Sequence, residues 1–288
     1  MSVAGAPIGD FTKLIQPTHG WRPINWREIL AYRDLLFFLV RRDVKARHAQ
    51  TIIGFGWAII RPFFTMIVFT IVFGELASVP SDGVPYPIFS FAALVPWTYF
   101  STAITQTTGS LVWNASLLTK VYFPRLIIPL TPVLAGLVDF SIALGVLGGM
   151  MVLYGIVPDA RILIVPSLVL LMILCSIGIG TWLSALSIQY RDIQMSIPFM
   201  GQLLMYAAPV VWPVSLITER FPDSAGTIRL LYGLYPMAGV IEGFRSALLG
   251  TLPVPWDLLA AGFVSSTVLA VSGSLYFRRM ERVFADVA

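Results

Sequence analysis

A cluster of basic side chains stands directly before the first long apolar run of this 288-residue chain. Arg41, Arg42, Lys45 and Arg47 lie close together in sequence, and the apolar run begins just beyond Arg61. Guanidinium and ammonium groups so placed bind anions, either the phosphates of membrane lipids or the carboxylates of a docked protein. The pattern predicts a basic helix at the membrane surface, with lipid contact and partner docking both open.

The inventory of catalytic groups does not favour an enzyme. His19 and His48 are the only histidines, neither belongs to an H-E-x-x-H motif, and Cys175 is the only cysteine. The chain also lacks the G-x-x-x-x-G-K-[ST] loop that holds nucleotide phosphates. We therefore expect no catalytic residue, no metal site and no cofactor in this chain, and no nucleotide hydrolysis by it alone.

Composition indicates a membrane protein. Hydrophobic residues make up 57% of the chain, charged residues make up 12%, and the mean hydropathy is +0.82, whereas soluble domains carry about 25% charged residues. A helix needs about 20 mostly apolar residues to cross a bilayer, and the apolar runs lack the alternation of a barrel. The sequence predicts an all-α integral membrane protein with six transmembrane helices, at about 58–79, 87–110, 126–157, 162–187, 194–216 and 258–277.

The basic residues also set the expected orientation. With the N-terminus inside, fifteen of the 19 Lys and Arg residues fall on the cytosolic side, as the positive-inside rule requires. Both termini are then cytosolic, and the first 28 residues lack the apolar segment of a cleaved signal peptide. Because the basic residues lie beside predicted spans, nothing indicates nucleic-acid binding.

The second and third predicted spans carry the candidates for a transport pathway. Asp139 lies inside the third span, where ionisable residues are functional candidates by default, and a structural hydrogen bond is the alternative. A polar run at 101–110 should face a partner helix or a wet channel. Aromatic residues at span ends either form the interfacial belt or stack on sugar rings. The candidate channel or substrate residues are Trp97, Tyr99, Phe100, Thr105, Gln106 and Asp139.

The segment 217–257, predicted to lie outside, is long and too apolar for a simple loop. It is typical of two short helices, about 230–235 and 237–249, separated at Pro236, and apolar segments of this length are often re-entrant. Glu242 and Arg245 can pair on one helix face because they are spaced i, i+3. We expect a re-entrant outer helical hairpin between spans five and six, with Pro236, Glu242 and Arg245 as a candidate outer gate; a static cap is the alternative.

Four stretches of the chain resemble the permease subunit of ABC exporters of the polysaccharide type, which move O-antigen, capsule or teichoic-acid chains. The first is 39–47 (LVRRDVKAR), which continues through Gly54 and Trp57 to Pro62. The second is 118–125 (LTKVYFPR), which is followed by Pro129. The others are 190–192 (YRD) and the stretch from Tyr235 to Arg245, where the family commonly has Asn instead of Tyr235. The match is collinear over about 33–250 and agrees with the six-span order.

The resemblance implies a domain layout and a set of partners. Residues 1–56 would form a cytosolic segment with an amphipathic interface helix at 33–50, 57–280 the six-span domain, and 281–288 a cytosolic tail. Because six spans without an internal repeat make half of a transporter, we expect a homodimer, and the protein would be a multi-pass protein of the bacterial cytoplasmic (inner) membrane. It would work with two copies of an ATP-binding cassette subunit, which bind ATP and Mg²⁺, and contact membrane lipids.

The resemblance also implies a substrate and a docking surface. The substrate would be a lipid-linked polysaccharide that enters from the cytosolic leaflet near Arg41, Arg42 and Lys45. A drug, haem or lipid exporter of the same fold, or a membrane enzyme that modifies lipid-linked sugars, are the alternatives. The residues expected at the interface with the ATP-binding subunit are Arg41, Arg42, Lys45, Arg47, Lys120, Arg125 and Arg191.

Overall fold

The computed structural model describes residues 26–49, 53–120 and 122–281, and every regular element within these ranges is helical. The predictions for the first 25 residues and for the tail beyond 281 lie outside the described residues. The helices are α1 (Trp26–Ala31), α2 (Arg33–His48), α3 (Trp57–Phe69), α4 (Tyr86–Trp113), α5 (Ala115–Lys120), α6 (Ile127–Leu153), α7 (Val165–Gln189), α8 (Asp192–Ala207), α9 (Ser215–Arg220), α10 (Ala225–Gly233), α11 (Pro236–Leu249) and α12 (Trp256–Met280).

Five helical segments in the described part of the chain are long and apolar enough to cross a membrane. They confirm the predicted spans one to four and six within a few residues. The first comprises a 3₁₀ turn at Gly54–Gly56, then α3 and a π-helical turn at Thr70–Leu76, and the fourth begins with a 3₁₀ turn before α7. The five segments are Gly54–Leu76, Tyr86–Trp113, Ile127–Leu153, Ala160–Gln189 and Trp256–Met280.

The prediction of one continuous fifth helix over 194–216 is wrong. Helix α8 has only 16 residues and ends at Ala207, and residues 208–214 are not helical. The physical cause is Pro209, because a proline disfavours helical dihedral angles at the residue before it. Ala208 accordingly adopts an extended conformation, with φ −76° and ψ 153°. Six of the seven residues of the interruption are buried, all except Trp212, so its backbone is enclosed by protein.

Helix α4 forms the centre of the bundle. Its first half contributes fully buried side chains such as Phe89 and Phe91 to the main apolar core, and it packs against α3, α6, α7, α8 and α11. At another interface, α7 and α12 approach each other through glycine: a Cβ atom at Gly273 would lie 2.5 Å from the carbonyl oxygen of Gly178. Small residues at this position allow the close backbone approach that stabilises helix pairs in membranes.

A second apolar cluster marks one end of the bundle, which we call the inner end. In this cluster Leu39 of α2 joins residues from the last turns of three helices, namely Leu111 of α4, Ala185 of α7 and Phe277 of α12. Ile127 of the first turn of α6 belongs to the same cluster. Helix α2 therefore lies across the inner end with Leu39 buried.

The segment before the last span is helical, as predicted, and breaks at Pro236. Helix α10 is longer than predicted because it begins at Ala225, and it ends at Gly233. Helix α11 begins with Pro236, whose missing N–H costs nothing at the first helical position. It ends at Gly250, whose φ of +68° suits the left-handed conformation that commonly terminates helices. Every residue of α11 is buried.

Candidate functional site

The inner end presents a basic surface. Arg41, Arg42 and Lys45 are exposed on α2, Lys120 is exposed at the end of α5, and Arg191 is exposed between α7 and α8. The structure therefore leaves five of the seven residues predicted to contact a partner subunit exposed at this end of the bundle. Arg42 also links two elements there, because its Nη2 donates a hydrogen bond to Oδ1 of Asn114 at 2.8 Å.

The other two predicted interface residues, Arg47 and Arg125, make contacts within the chain. Arg125 is partly buried and donates a hydrogen bond from Nη1 to the carbonyl oxygen of Glu281. Burial raises the pKa of the Glu281 carboxyl above its usual range, and the nearby charge of Arg125 opposes this shift. Arg125 thus ties the segment before α6 to the end of α12.

Arg47 and His48 bind the carboxylate that the sequence places inside the third span. His48 Nε2 lies 3.0 Å from Oδ1 of Asp139, and Arg47 Nη1 lies 3.8 Å from Oδ2. Arg47 also donates hydrogen bonds from Nε and Nη2 to Asp43, one turn earlier on α2. We call Asp43, Arg47, His48 and Asp139 the inner charge network. It connects the C-terminal end of α2 to the middle of α6.

A cavity of about 370 Å³ adjoins this network. Its walls come from the end of α2, the start of the first span, the middle of α4 and the middle of α6. On α4 the wall is polar, because Thr98, Thr102 and Gln106 recur every fourth residue and so share one face. The remaining lining residues are Arg47, His48, Gly54, Trp57, Ala58, Arg61, Pro62, Val95, Tyr99, Gly136, Asp139, Phe140 and Ala143.

The structure brings together half of the predicted channel residues. Tyr99, Gln106 and Asp139 line the cavity. Trp97 and Phe100 are instead buried in the main core, with ring centroids 5.7 Å apart. Thr105 does not line this cavity, and its hydroxyl donates a hydrogen bond to the carbonyl oxygen of Ser101.

Sequence reasoning missed several residues of the cavity wall. Thr98 could have been found from the four-residue spacing that it shares with Thr102 and Gln106, which both belong to the predicted polar run. His48, Trp57 and Arg61 had no such signal, because they belong to separate elements that meet only through the packing of α2 and the first span on α4 and α6.

The arrangement suits recognition of a polar ligand. Cavities of this size commonly hold small molecules or parts of larger ones. The charge of Arg47 is offset by Asp43 and Asp139. Arg61 is exposed at the wall, and its guanidinium lies 5.8 Å from the ring centroid of Trp57. Hydroxyl groups of a ligand can hydrogen-bond to the threonine, amide and carboxylate groups, and an anionic group is best placed beside Arg61.

The predicted outer-gate residues form a second buried site, which we call the outer ion pair. Arg245 Nη1 donates to Oε1 of Glu242 at 3.0 Å, and the guanidinium carbon lies 3.5 Å from the centroid of the Phe89 ring. Arg245 also donates to the carbonyl oxygens of Phe89 and Val210, and Glu242 accepts a hydrogen bond from the backbone N–H of Val214. The pair therefore satisfies backbone groups of the interruption after α8. Pro236 begins the helix that carries it.

Comparisons with known proteins place the chain among transporters. Residues 34–249 match the model of the ABC-2 type transporter family. The chain is 29% identical over 262 residues to an O-antigen export system permease protein, RfbA, of Myxococcus xanthus, covering 90% of this chain and 97% of that protein. It is 23% identical to an RfbA of Klebsiella pneumoniae (88% and 95% covered) and 22% identical to the polysialic acid transport protein KpsM of Escherichia coli (86% and 94% covered).

Proposed function

Because the chain belongs to the ABC-2 type transporter family, we propose that it is the membrane subunit of an ATP-driven polysaccharide exporter. The observation that carries the proposal is the likeness over nearly the full length to permease proteins of O-antigen and polysialic acid export. The five apolar helices long enough to cross a membrane agree with such a role. In this proposal the subunit itself catalyses no reaction.

A sixth crossing completes the transport domain in this proposal. Helix α8 is about 24 Å long at 1.5 Å per residue, and residues 208–214 extend it towards the outer surface. Irregular backbone is tolerated at membrane depth where protein encloses it, and this interruption is enclosed and hydrogen-bonded by Tyr86, Glu242 and Arg245. With six crossings, both termini are cytosolic and the inner end, with its exposed basic residues, faces the cytosol.

The hairpin of α10 and α11 then enters the membrane from the outside and closes the outer mouth. The burial of all of α11 among α4, α7 and α12 supports a re-entrant position. Pro236, Glu242 and Arg245 belong to its anchored part. Helix α10 supplies the part that moves, because its large apolar side chains, such as Leu230 and Leu231, are exposed.

Two kinds of protein contact complete the transporter. A second copy of the chain packs along the first span, which is the least enclosed of the five, with Phe64 and Val68 more than half exposed. Two ATP-binding cassette subunits, which carry ATP and Mg²⁺, dock on the basic face of α2 and on α5. Their closure moves α2 as a lever at the start of the first span.

The substrate in this proposal is a polysaccharide joined to a lipid carrier through phosphate. It reaches the cavity from the cytosolic leaflet, where Arg61 binds the anionic linkage and the polar face of α4 binds the first sugar units. Trp57 and Tyr99 add aromatic surface to this site. Membrane lipids surround the rest of the first span.

Reconstitution tests the proposal. The purified chain alone should hydrolyse no ATP; together with its ATP-binding subunit in proteoliposomes it should hydrolyse ATP and translocate a polyprenyl-diphosphate-linked oligosaccharide. Hydrolysis by this chain without the partner would overturn the transporter-subunit assignment. Stimulation by drugs or haem, with no response to the glycan, would favour the alternative exporter classes.

Charge reversal tests the docking surface separately. The double variant Lys45→Glu, Lys120→Glu should insert normally but retain much less of the ATP-binding subunit on purification, because both side chains are exposed at the inner end. Arg220→Glu is the matched control, since Arg220 is also exposed but belongs to α9, before the hairpin. Equal recovery of the partner with all variants would remove α2 and α5 from the interface.

A further inference from the structure

Asp139 contacts two parts of the molecule with different roles. Through its carboxylate it holds Arg47 and His48 at the end of α2, and the preceding turns of the same helix carry the exposed Arg41 and Lys45. Through its place on α6 it belongs to the wall of the cavity. One side chain therefore connects the basic helix of the inner end to the candidate substrate site.

The inner charge network is incompletely satisfied. Arg47 Nη1 and Asp139 Oδ1 are two of the four buried side-chain atoms that have no hydrogen-bond partner among the described residues. His48 Nε2 lies 3.0 Å from Oδ1, a contact that is an ion pair only when the imidazole is protonated. Buried polar atoms left without partners cost free energy. An arrangement that brings Arg47 Nη1 within hydrogen-bond distance of the Asp139 carboxylate would recover part of that cost.

Arg47 has two carboxylates within reach. In this structure Arg47 Nε and Nη2 donate hydrogen bonds to Asp43, and the distance from Arg47 Nη1 to Oδ2 of Asp139 is 3.8 Å. A hydrogen bond between these groups needs about 2.7–2.9 Å, so a shift of α2 along α6 of about 1 Å closes the gap. Helix shifts of about 1–2 Å are usual in switching proteins. The geometry thus permits a second arrangement without unfolding of either helix.

We propose that Asp139 is a positioning residue that couples the position of α2 to the shape of the cavity, with Arg47 exchanging between Asp43 and Asp139 as α2 moves. This inference rests on the proposed function, in which an ATP-binding subunit displaces α2. Because coupling between two sites is reciprocal, a glycan that contacts the cavity wall also biases the position of α2. Asp139 thereby lets the substrate site and the docking surface sense each other.

A cysteine in the cavity wall tests the coupling. Thr102→Cys is made in a Cys175→Ala background, and the complex with the ATP-binding subunit is placed in nanodiscs. Labelling by a small methanethiosulfonate reagent is timed without nucleotide and after trapping with vanadate and ATP. Trapping should change the labelling rate about fivefold or more, in the range of ordinary allosteric couplings. With Asp139→Asn added, the two rates should become nearly equal.

Three further variants make the result specific. His48→Gln should also equalise the rates, and its combination with Asp139→Asn should have no further effect because both remove the same link. Asp139→Glu should restore part of the difference. Asp159→Asn, a carboxylate-to-amide change at an exposed position beyond α6, should leave the difference intact. If Asp139→Asn fails to assemble with the partner, His48→Gln carries the same test from α2.

The outcomes separate this inference from the proposed function. A nucleotide-dependent difference that persists in both Asp139→Asn and His48→Gln would overturn the role of Asp139. A parent complex that hydrolyses ATP and exports glycan but shows no difference at Thr102→Cys would overturn the coupling while leaving the exporter assignment intact. A parent complex with neither hydrolysis nor export would instead count against the proposed function itself.

Discussion

The molecule contains two buried clusters of opposite charges, and they are built in opposite ways. In the outer ion pair, Arg245 contacts Glu242, two carbonyl oxygens and the face of Phe89, and neither charged side chain has an unpaired buried atom. In the inner charge network, Arg47 and Asp139 each keep one buried atom without a hydrogen-bond partner. The outer pair also lies deeper, since Arg245 is fully buried while the Asp139 side chain is 29% exposed.

This difference in hydrogen bonding indicates which part of the chain is held in one arrangement and which part can change its arrangement. A buried polar network that is fully satisfied stabilises one arrangement, because any shift breaks several hydrogen bonds at once in a medium of low dielectric constant. An incompletely satisfied network loses less when it rearranges. We therefore expect the outer ion pair to hold the interruption after α8 in place, and the inner charge network to permit movement of α2 on α6.

The first and largest expected effect is the loss of Arg245. Arg245→Met should lower the free energy of unfolding by about 3–5 kcal/mol, because it leaves the buried Glu242 carboxylate without its partner. It also removes donors from the carbonyl oxygens of Phe89 and Val210. Thermal unfolding of the detergent-solubilised protein, or the yield of monodisperse protein, measures the loss. A variant as stable as the parent would show that the outer ion pair does not anchor the interruption.

A second prediction separates the pair from its individual charges. The double variant Glu242→Leu, Arg245→Met should recover part of the stability lost in Arg245→Met, because removal of both charges leaves no uncompensated charge in the core. Recovery should be incomplete, since the backbone N–H of Val214 and the carbonyl oxygen of Val210 also lose their partners. The two variants are compared by thermal unfolding at one pH. Additive losses would contradict the assigned pairing.

The two clusters also differ in how far the sequence predicts them. The i, i+3 spacing of Glu242 and Arg245 predicts their pairing, because both lie on one helix. Their role in capping the interruption after α8 depends on the packing of α11 against α4, which no local pattern specifies. Likewise, hydropathy singles out Asp139 inside a span, but its partners Arg47 and His48 lie more than ninety positions away and meet it only because α2 folds across α6.

The predicted membrane spans likewise show which features local sequence patterns predict and which they do not. Five of the six predicted spans coincide with helices that are long and apolar enough to cross a membrane, because long apolar runs with few charges are visible in composition alone. The continuous fifth helix fails because hydropathy does not register Pro209, whose effect is on the backbone rather than on polarity. The predicted break at Pro236 succeeds for the corresponding reason, since there the proline itself was used as the signal.

The third prediction concerns the contribution of the inner charge network to the free energy of unfolding, which is compared with that of Arg245. Asp139→Asn and His48→Gln should each lower the free energy of unfolding by only about 1 kcal/mol, which is typical of an ion pair that is partly exposed to water. Their large effect should fall on nucleotide-dependent changes in the cavity. Thermal unfolding of the single and double variants gives both losses and their interaction energy. Losses as large as that of Arg245→Met would make the inner network a static anchor too.

The smallest expected effect comes from a third pair, which serves as a reference for the other two. Arg229 of α10 makes two hydrogen bonds to the carboxylate of Asp257 at the start of α12, at 2.8 and 3.0 Å. This geometry is better than that of the inner charge network, but the side chains are 25% and 43% exposed, so water replaces the lost contacts. Arg229→Gln with Asp257→Asn should therefore change the free energy of unfolding by about 1 kcal/mol or less, as measured by thermal unfolding.

The same pair joins α10, the moving part of the proposed hairpin, to the last span. Its loss should therefore be visible as faster labelling of a single cysteine at Leu231 in a Cys175→Ala background. A large loss of stability with unchanged labelling would mean that α10 is part of the rigid core, and the contrast between an anchored α11 and a mobile α10 would fail.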